Sequence, residues 1–112
     1  MGMNSRHMAD FLVAGFRHWD GALVLDKLAV GKKLALKLEA DNPHDPDAVA
    51  LYRKGVKLGY IPRDENQLPA QLLRFGHGDV FECRILKVDV DTEPWRQVRV
   101  GLYMTDKTGS KA

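Results

Sequence analysis

Two short apolar runs on either side of Lys54-Gly55 are the feature that most restricts how this chain can fold. The first covers residues 48–52 and the second residues 57–61, and both are too short for a typical helix. A glycine between two such runs is typical of a hairpin turn, because glycine adopts positive φ angles without steric cost. The sequence therefore predicts an antiparallel hairpin in the middle of the chain.

Four further segments have the alternation or the apolar character of strands. Residues 33–39 alternate cleanly, with Leu34, Leu36 and Leu38 on one face and charged residues on the other. Less regular patterns predict strands over residues 11–16, 80–90 and 97–104. Six short strands linked by turns indicate a mainly β fold and a small closed or nearly closed barrel.

The sequence also predicts one definite helix and leaves one segment ambiguous. Leu68 and Leu72 lie one helical turn apart, and Asp64 is a candidate N-cap before them. Pro69 conflicts with an uninterrupted helix, so the helix either begins near Leu68 or is kinked at the proline. Residues 22–28 fit neither period cleanly, and we expect a short helix or a turn there.

The length of 112 residues and a hydrophobic content of 45% fit one soluble domain with a modest core. We expect residues 1–8 to be a flexible leader or a remnant of cloning, residues 9–106 to form the domain and residues 107–112 to be a frayed tail. No apolar run approaches membrane-spanning length and no signal-peptide pattern occurs, which predicts a cytoplasmic protein. The single cysteine, Cys83, excludes an internal disulfide and lies in an apolar run typical of a buried thiol.

Two polar clusters are candidates for function. Arg17-His18-Trp19 places a cation beside two rings, which are the groups that single-stranded nucleic acid needs for phosphate contact and base stacking. Asn42-Pro43-His44-Asp45, ahead of the hairpin, concentrates polar groups in a loop that proline stiffens. The residues alone leave simpler explanations open. Trp19 could fill the barrel core, and Asn42 and Asp45 could only hold the loop through side-chain-to-backbone hydrogen bonds.

The order of these motifs resembles the HIRAN domain, a small β-rich module that occurs alone in bacteria and fused to helicase-like remodellers in eukaryotes. The segment of residues 41–49 together with Gly59-Tyr60-Ile61-Pro62 carries the resemblance, which extends over about residues 11–104. The strand count and the resemblance together predict a six-stranded, OB-like barrel with one or two short α-helices. The resemblance implies a non-enzymatic module that binds single-stranded DNA and prefers a free 3′-hydroxyl end. A hydroxyl donates to a carboxylate, whereas a 3′-phosphate would bring like charge against it.

The resemblance assigns roles to individual residues. It implies that Asp45 accepts the hydrogen bond of the terminal hydroxyl and that Arg17 and Arg63 hold phosphate. At His18 and His44 the family more often has tyrosine, and an imidazole offers a smaller area for stacking. The candidate nucleic-acid-binding residues are Arg17, His18, Trp19, Asn42, His44, Asp45, Tyr60 and Arg63.

Two other functions stay open from the sequence. A protein-interaction domain of the same fold, without DNA binding, fits the histidine replacements and the low net charge of +2. A metal-dependent hydrolase would use the acidic loop as hard ligands, but neither EF-hand spacing nor a second carboxylate cluster accompanies it. We therefore expect no cofactor, no metal and no membrane partner. The expected partners are a single-stranded DNA end and a helicase or nuclease that the domain recruits or positions in DNA repair or replication.

Overall fold

The structure is a computed structural model that describes residues 5–105. Within this range, six antiparallel strands form one sheet in the order β1-β6-β5-β2-β3-β4. The strands are β1 Ser5–Leu12, β2 Lys33–Leu38, β3 Val49–Arg53, β4 Val56–Tyr60, β5 Phe81–Val88 and β6 Val98–Thr105. The predicted hairpin is β3 and β4, and the mainly β class with six strands is confirmed.

One α-helix, α1 Gln67–Arg74, lies within the described residues, and 3-10 turns make up the other helical segments. The N-cap is Asn66 rather than the predicted Asp64, which lies in a preceding 3-10 turn. Pro69 falls in the first turn of α1. Backbone N–H groups in the first turn have no intrahelical acceptor, so the proline costs the helix no hydrogen bond. The ambiguous segment is a 3-10 stretch, Asp20–Lys27, interrupted at Val24.

The first strand begins earlier than the sequence predicted. β1 starts at Ser5, inside the segment assigned to a leader, and the register pairs Ser5 with Thr105 and Phe11 with Val100 of β6. Residues 5–8 are exposed, so they lack the apolar alternation that marks a half-buried strand, and their pairing with β6 defines them. Residues 5–8 of the predicted leader are thus part of β1. Residues 1–4 and the predicted tail of residues 107–112 lie outside the described residues.

A short bridge beyond β1 closes the sheet into a barrel. The Ala14 N–H donates to the Tyr60 carbonyl at 2.8 Å, and the Tyr60 N–H donates to the Ala14 carbonyl at 2.9 Å. This pair joins the chain leaving β1 to β4, and β1 and β4 are the two edges of the sheet. The bridge brings the turn after β1, which carries Arg17, His18 and Trp19, against the end of the hairpin.

One apolar core fills the barrel between the sheet and α1. Its largest fully buried side chains are Phe16, Leu51, Leu58, Ile61 and Ile85. Cys83 is buried as predicted, and burial raises the pKa of its thiol to about 12. No helix in the described part of the chain is long and apolar enough to cross a membrane.

Candidate nucleic-acid interface

A groove of about 620 Å³ lies where the turn after β1, the loop between β2 and β3, and the end of β4 meet. This volume is typical of small-ligand sites. This main groove is lined by Ala14, Gly15, His18, Trp19, Asn42, His44, Asp45, Ala48, Tyr60, Ile61, Arg63 and Asn66. The fold thus brings together all the predicted site residues except Arg17.

Asn42 shapes the loop that forms one wall of the main groove. Its Oδ1 accepts the backbone N–H of His44 at 2.8 Å and that of Asp45 at 3.1 Å. Its Nδ2 donates to Glu39 Oε1 at 3.1 Å. Since both ends of the amide are used within the protein, Asn42 holds the loop in the way that the simpler explanation from the sequence proposed.

Asp45 is a fixed and ionised carboxylate in the groove wall. Its Oδ1 accepts the Asp47 N–H at 2.9 Å, and its Oδ2 accepts Asn66 Nδ2 at 2.9 Å. Arg63 Nε lies 3.5 Å from Oδ2, and the Asp45 side chain is only 19% exposed. The hydrogen bonds from the Asp47 backbone and from Asn66 lower the pKa of Asp45 below its ordinary value. The carboxylate is therefore charged at neutral pH and held in one orientation.

Asn66 is a site residue that the sequence did not reveal. It is 3% exposed, lines the main groove and contributes the side-chain hydrogen bond that orients Asp45. The only local signal at this position is its place ahead of a helix. Its partner lies 21 residues earlier, beyond the reach of any spacing argument.

Another wall of the main groove is aromatic. Trp19 is 39% exposed and meets Tyr60 edge-on, with ring centroids 6.0 Å apart and an interplanar angle of 72°. Phe16, not Trp19, fills the barrel core, so the interpretation of Trp19 as a core residue is wrong. The exposed part of the indole is available to a stacking partner at the groove.

A lysine and a glutamate lie behind this wall. Lys57 Nζ is 3.7 Å from the centroid of the Trp19 ring and 2.6 Å from Glu39 Oε2. It also donates to the Tyr60 hydroxyl at 2.8 Å, and that hydroxyl donates to Glu39 Oε1 at 2.9 Å. The Lys57 side chain is only 15% exposed.

The two ionisable groups behind the wall favour their charged forms. Partial burial raises the pKa of Glu39, but hydrogen bonds from Lys57, Asn42 and Tyr60 outweigh burial and lower it overall. Partial burial lowers the pKa of Lys57, and its hydrogen bonds with Glu39 and Tyr60 outweigh that effect and raise it. Glu39 and Lys57 therefore form an ion pair at neutral pH.

The two predicted phosphate-binding arginines lie in different places. Arg63 is 72% exposed at the rim of the main groove, where its Nη2 donates to the His44 carbonyl at 2.8 Å. Arg17 faces a second depression of about 360 Å³ together with Trp95, and His18 lines both sites. The reason is local: residues 16–18 form a 3-10 turn, in which successive side chains are rotated by about 120°.

The family model of the HIRAN domain matches residues 7–103 of this chain. The chain belongs to the HIRAN domain family. This confirms the resemblance predicted from the acidic loop and the Gly-Tyr-Ile-Pro segment.

Two solved structures are similar to this HIRAN domain. A protein from Lactobacillus plantarum has 25% identity and a TM-score of 0.71, over 94% of this chain and 99% of that one. The HIRAN domain of human HLTF has 17% identity and a TM-score of 0.57, over 98% of this chain and 81% of that one. The second likeness concerns the fold alone and supports the predicted OB-like barrel. No curated protein matches the chain. HIRAN domains are in general DNA-binding modules and are binding domains of a non-enzymatic kind.

The acidic loop of this HIRAN domain is anchored to α1. The Asp47 carboxylate accepts Arg74 Nη1 at 3.1 Å and Gln71 Nε2 at 3.3 Å, and Arg74 Nη2 donates to the Pro46 carbonyl at 2.8 Å. These contacts lie outside the main groove. Among residues 5–105, no three His, Cys, Asp or Glu side chains are grouped so that they could hold a metal ion.

Proposed function

We propose that this HIRAN domain binds the 3′ end of single-stranded DNA and that Asp45 distinguishes a free hydroxyl from a phosphate. The observation that carries the proposal is the state of the Asp45 carboxylate, which is ionised and fixed by two hydrogen bonds of 2.9 Å in the groove wall. An ionised carboxylate has about four acceptor sites, so it keeps capacity for a further donor. A terminal hydroxyl supplies that donor through a charge-assisted hydrogen bond, and a terminal phosphate is repelled.

The other groove residues supply contacts that do not depend on base identity. Trp19 and His18 present rings for stacking, and Arg63 presents a cation at the rim. The amide of Asn42 and the hydroxyl of Tyr60 are already hydrogen-bonded within the protein. We therefore expect the domain to select the end of the strand and to tolerate any terminal base.

In the cell, the domain would act without catalysis. It would recruit or position a DNA repair or replication factor in the cytoplasm, with a helicase or nuclease as its protein partner. This role is the one that membership of the family suggests for a module that marks a free DNA end.

The test is fluorescence anisotropy with two single-stranded oligonucleotides, labelled at the 5′ end and identical except for a 3′-hydroxyl or a 3′-phosphate. We expect the hydroxyl end to bind at least about tenfold more tightly, as one charged hydrogen bond allows. Equal binding of the two ends would leave a general single-strand binder. An absence of binding to both at low salt would overturn the DNA proposal in favour of a protein-interaction domain of the same fold.

Arg63→Ala is expected to weaken DNA binding and to reduce its dependence on salt. If Arg63 contacts one phosphate, its loss should make the slope of log affinity against log salt concentration shallower by about 0.7 for a single strand. Titrations at several salt concentrations measure this slope. Arg53→Ala is the matched control, because Arg53 lies outside the main groove and donates to the Lys33 carbonyl. An unchanged slope in Arg63→Ala would show that this cation does not contact phosphate.

Trp95→Ala is expected to weaken binding of long oligonucleotides only. Trp95 is exposed and shares the second depression with Arg17 and His18, so it lies where a strand leaving the main groove would pass. Loss of one stacking platform should reduce affinity for an octanucleotide by about 5- to 150-fold and leave a dinucleotide unaffected. Phe75→Ala, which removes an exposed ring outside both sites, is the control. Equal losses of affinity for the octanucleotide and the dinucleotide would show that the strand does not pass over Trp95 in this way.

A further inference from the structure

We infer that Lys57, oriented by Glu39, is the positioning residue that fixes Trp19 as a stacking platform with a single free face. The inference rests on the proposed function, because it assigns to Lys57 a part in DNA binding without a contact to DNA. It is carried by the geometry of the side chains behind the aromatic wall.

The ammonium of Lys57 occupies one face of the indole. Nζ lies 3.7 Å from the centroid of the Trp19 ring and 4.5 Å from that of Tyr60. A cation within about 6 Å of a ring centroid is attracted by the negative face of the ring. A base can then stack on Trp19 only from the opposite side, and the indole is held at a fixed angle to receive it.

The position of the ammonium is itself fixed by a closed set of hydrogen bonds. Lys57, Glu39 and Tyr60 are joined pairwise at 2.6, 2.8 and 2.9 Å, so none of the three can move alone. Glu39 Oε1 also accepts Asn42 Nδ2 at 3.1 Å. Because Asn42 in turn binds the N–H of Asp45, one network connects the stacking wall with the loop that carries the end-reading carboxylate.

Lys57 is unsuited to a direct phosphate contact. It does not line the main groove, its side chain is 15% exposed, and Glu39 neutralises its charge. A cation that acts in this way releases no counterion when DNA binds. Loss of Lys57 should therefore lower affinity without changing the salt dependence of binding, which separates a positioning role from a phosphate contact.

The experiment uses a Trp95→Phe background, in which Trp19 is the remaining one of the two tryptophans of the chain. In the protein without DNA, Lys57→Met should increase acrylamide quenching of Trp19 emission, because the indole is no longer held. Affinity is measured with Trp95 in place: with the hydroxyl-ended oligonucleotide, Lys57→Met should lower it by about 3- to 30-fold at an unchanged salt slope. Lys57→Arg keeps a cation over the ring and should restore both quantities towards those of the parent.

Lys33→Met is the matched control, because it also removes a lysine from an ion pair, with Glu82, at a distance from the main groove. It should leave quenching and affinity unchanged. Thermal unfolding of each variant shows whether it is folded at the assay temperature. If Lys57→Met is not folded, Glu39→Gln gives the same test, since it loosens the hold on the ammonium and should also increase quenching.

The outcomes separate this inference from the proposed function. If the parent binds the hydroxyl end and Lys57→Met matches it in quenching and affinity, the inference is overturned and the proposed function stands. A shallower salt slope in Lys57→Met would show a phosphate contact and would also overturn the inference. If the parent binds no DNA, the proposed function fails and the inference fails with it, whatever the quenching shows.

Discussion

Asp45→Asn is expected to abolish the preference for a 3′-hydroxyl end. The substitution removes the charge that strengthens the hydrogen bond from the hydroxyl, and it turns an amide donor towards either Asn66 Nδ2 or the Asp47 N–H, both of which donate to this side chain. Affinity for the hydroxyl end should fall by about 10- to 100-fold, the range expected for a hydrogen bond to a charged group. Affinity for the phosphate end should stay constant or rise, because a like charge has been removed. Anisotropy titrations with both oligonucleotides measure the ratio.

Asp47→Asn is the control for this prediction. It lies in the same loop and makes the same change in charge, but its carboxylate binds Arg74 and Gln71 rather than lining the main groove. It should therefore lower both affinities equally or not at all, and keep their ratio. If Asp47→Asn also removed the preference, the effect would come from the charge or the order of the loop, and Asp45 would have no special role. An unchanged ratio in Asp45→Asn would lead to the same conclusion.

The strands could be predicted from the sequence wherever burial is one-sided. Leu34, Leu36 and Leu38 alternate because β2 has one face towards the core, and this local signal survives without knowledge of the fold. The first half of β1 carries no such signal, since residues 5–8 are exposed and only pairing with β6 defines them. The closing bridge from Ala14 to Tyr60 is likewise a long-range backbone contact.

The sequence predicted which segments form the candidate site, but not how their side chains are arranged. The loop and the hairpin end are distinctive enough to identify the family, and the fold brings Trp19, Asp45 and Tyr60 to one groove. Arg17 faces the second depression and not the main groove, because neighbouring side chains in the 3-10 turn of residues 16–18 point in different directions. The supporting contacts join residues far apart in the chain, such as Lys57 with Glu39 and Asn66 with Asp45, and no local pattern marks such pairs.

Gly59→Ala is expected to cause the largest loss of stability among single substitutions at the barrel closure. Gly59 has φ of +149°, and a Cβ there would overlap the Ala14 carbonyl oxygen and lie 2.7 Å from Val13 Cγ1. Backbone strain and overpacking together should cost about 3–5 kcal/mol, a large part of the stability of a small domain. Urea unfolding followed by circular dichroism measures the change as a lower midpoint at an unchanged slope.

Gly55→Ala separates the two causes of this loss. Gly55 also has a positive φ, +83°, but nothing lies within 4 Å of a Cβ built there, so only backbone strain of about 1–2 kcal/mol is expected. The loss of unfolding free energy in Gly59→Ala beyond that in Gly55→Ala then measures the cost of forcing β4 away from Ala14. Because the same bridge holds the turn that carries Trp19 against Tyr60, that excess should be accompanied by weaker DNA binding at temperatures where the variant is still folded. Equal losses of unfolding free energy in the two glycine variants would mean that β4 can move away from Ala14 at no cost. The barrel closure would then not hold the groove in shape.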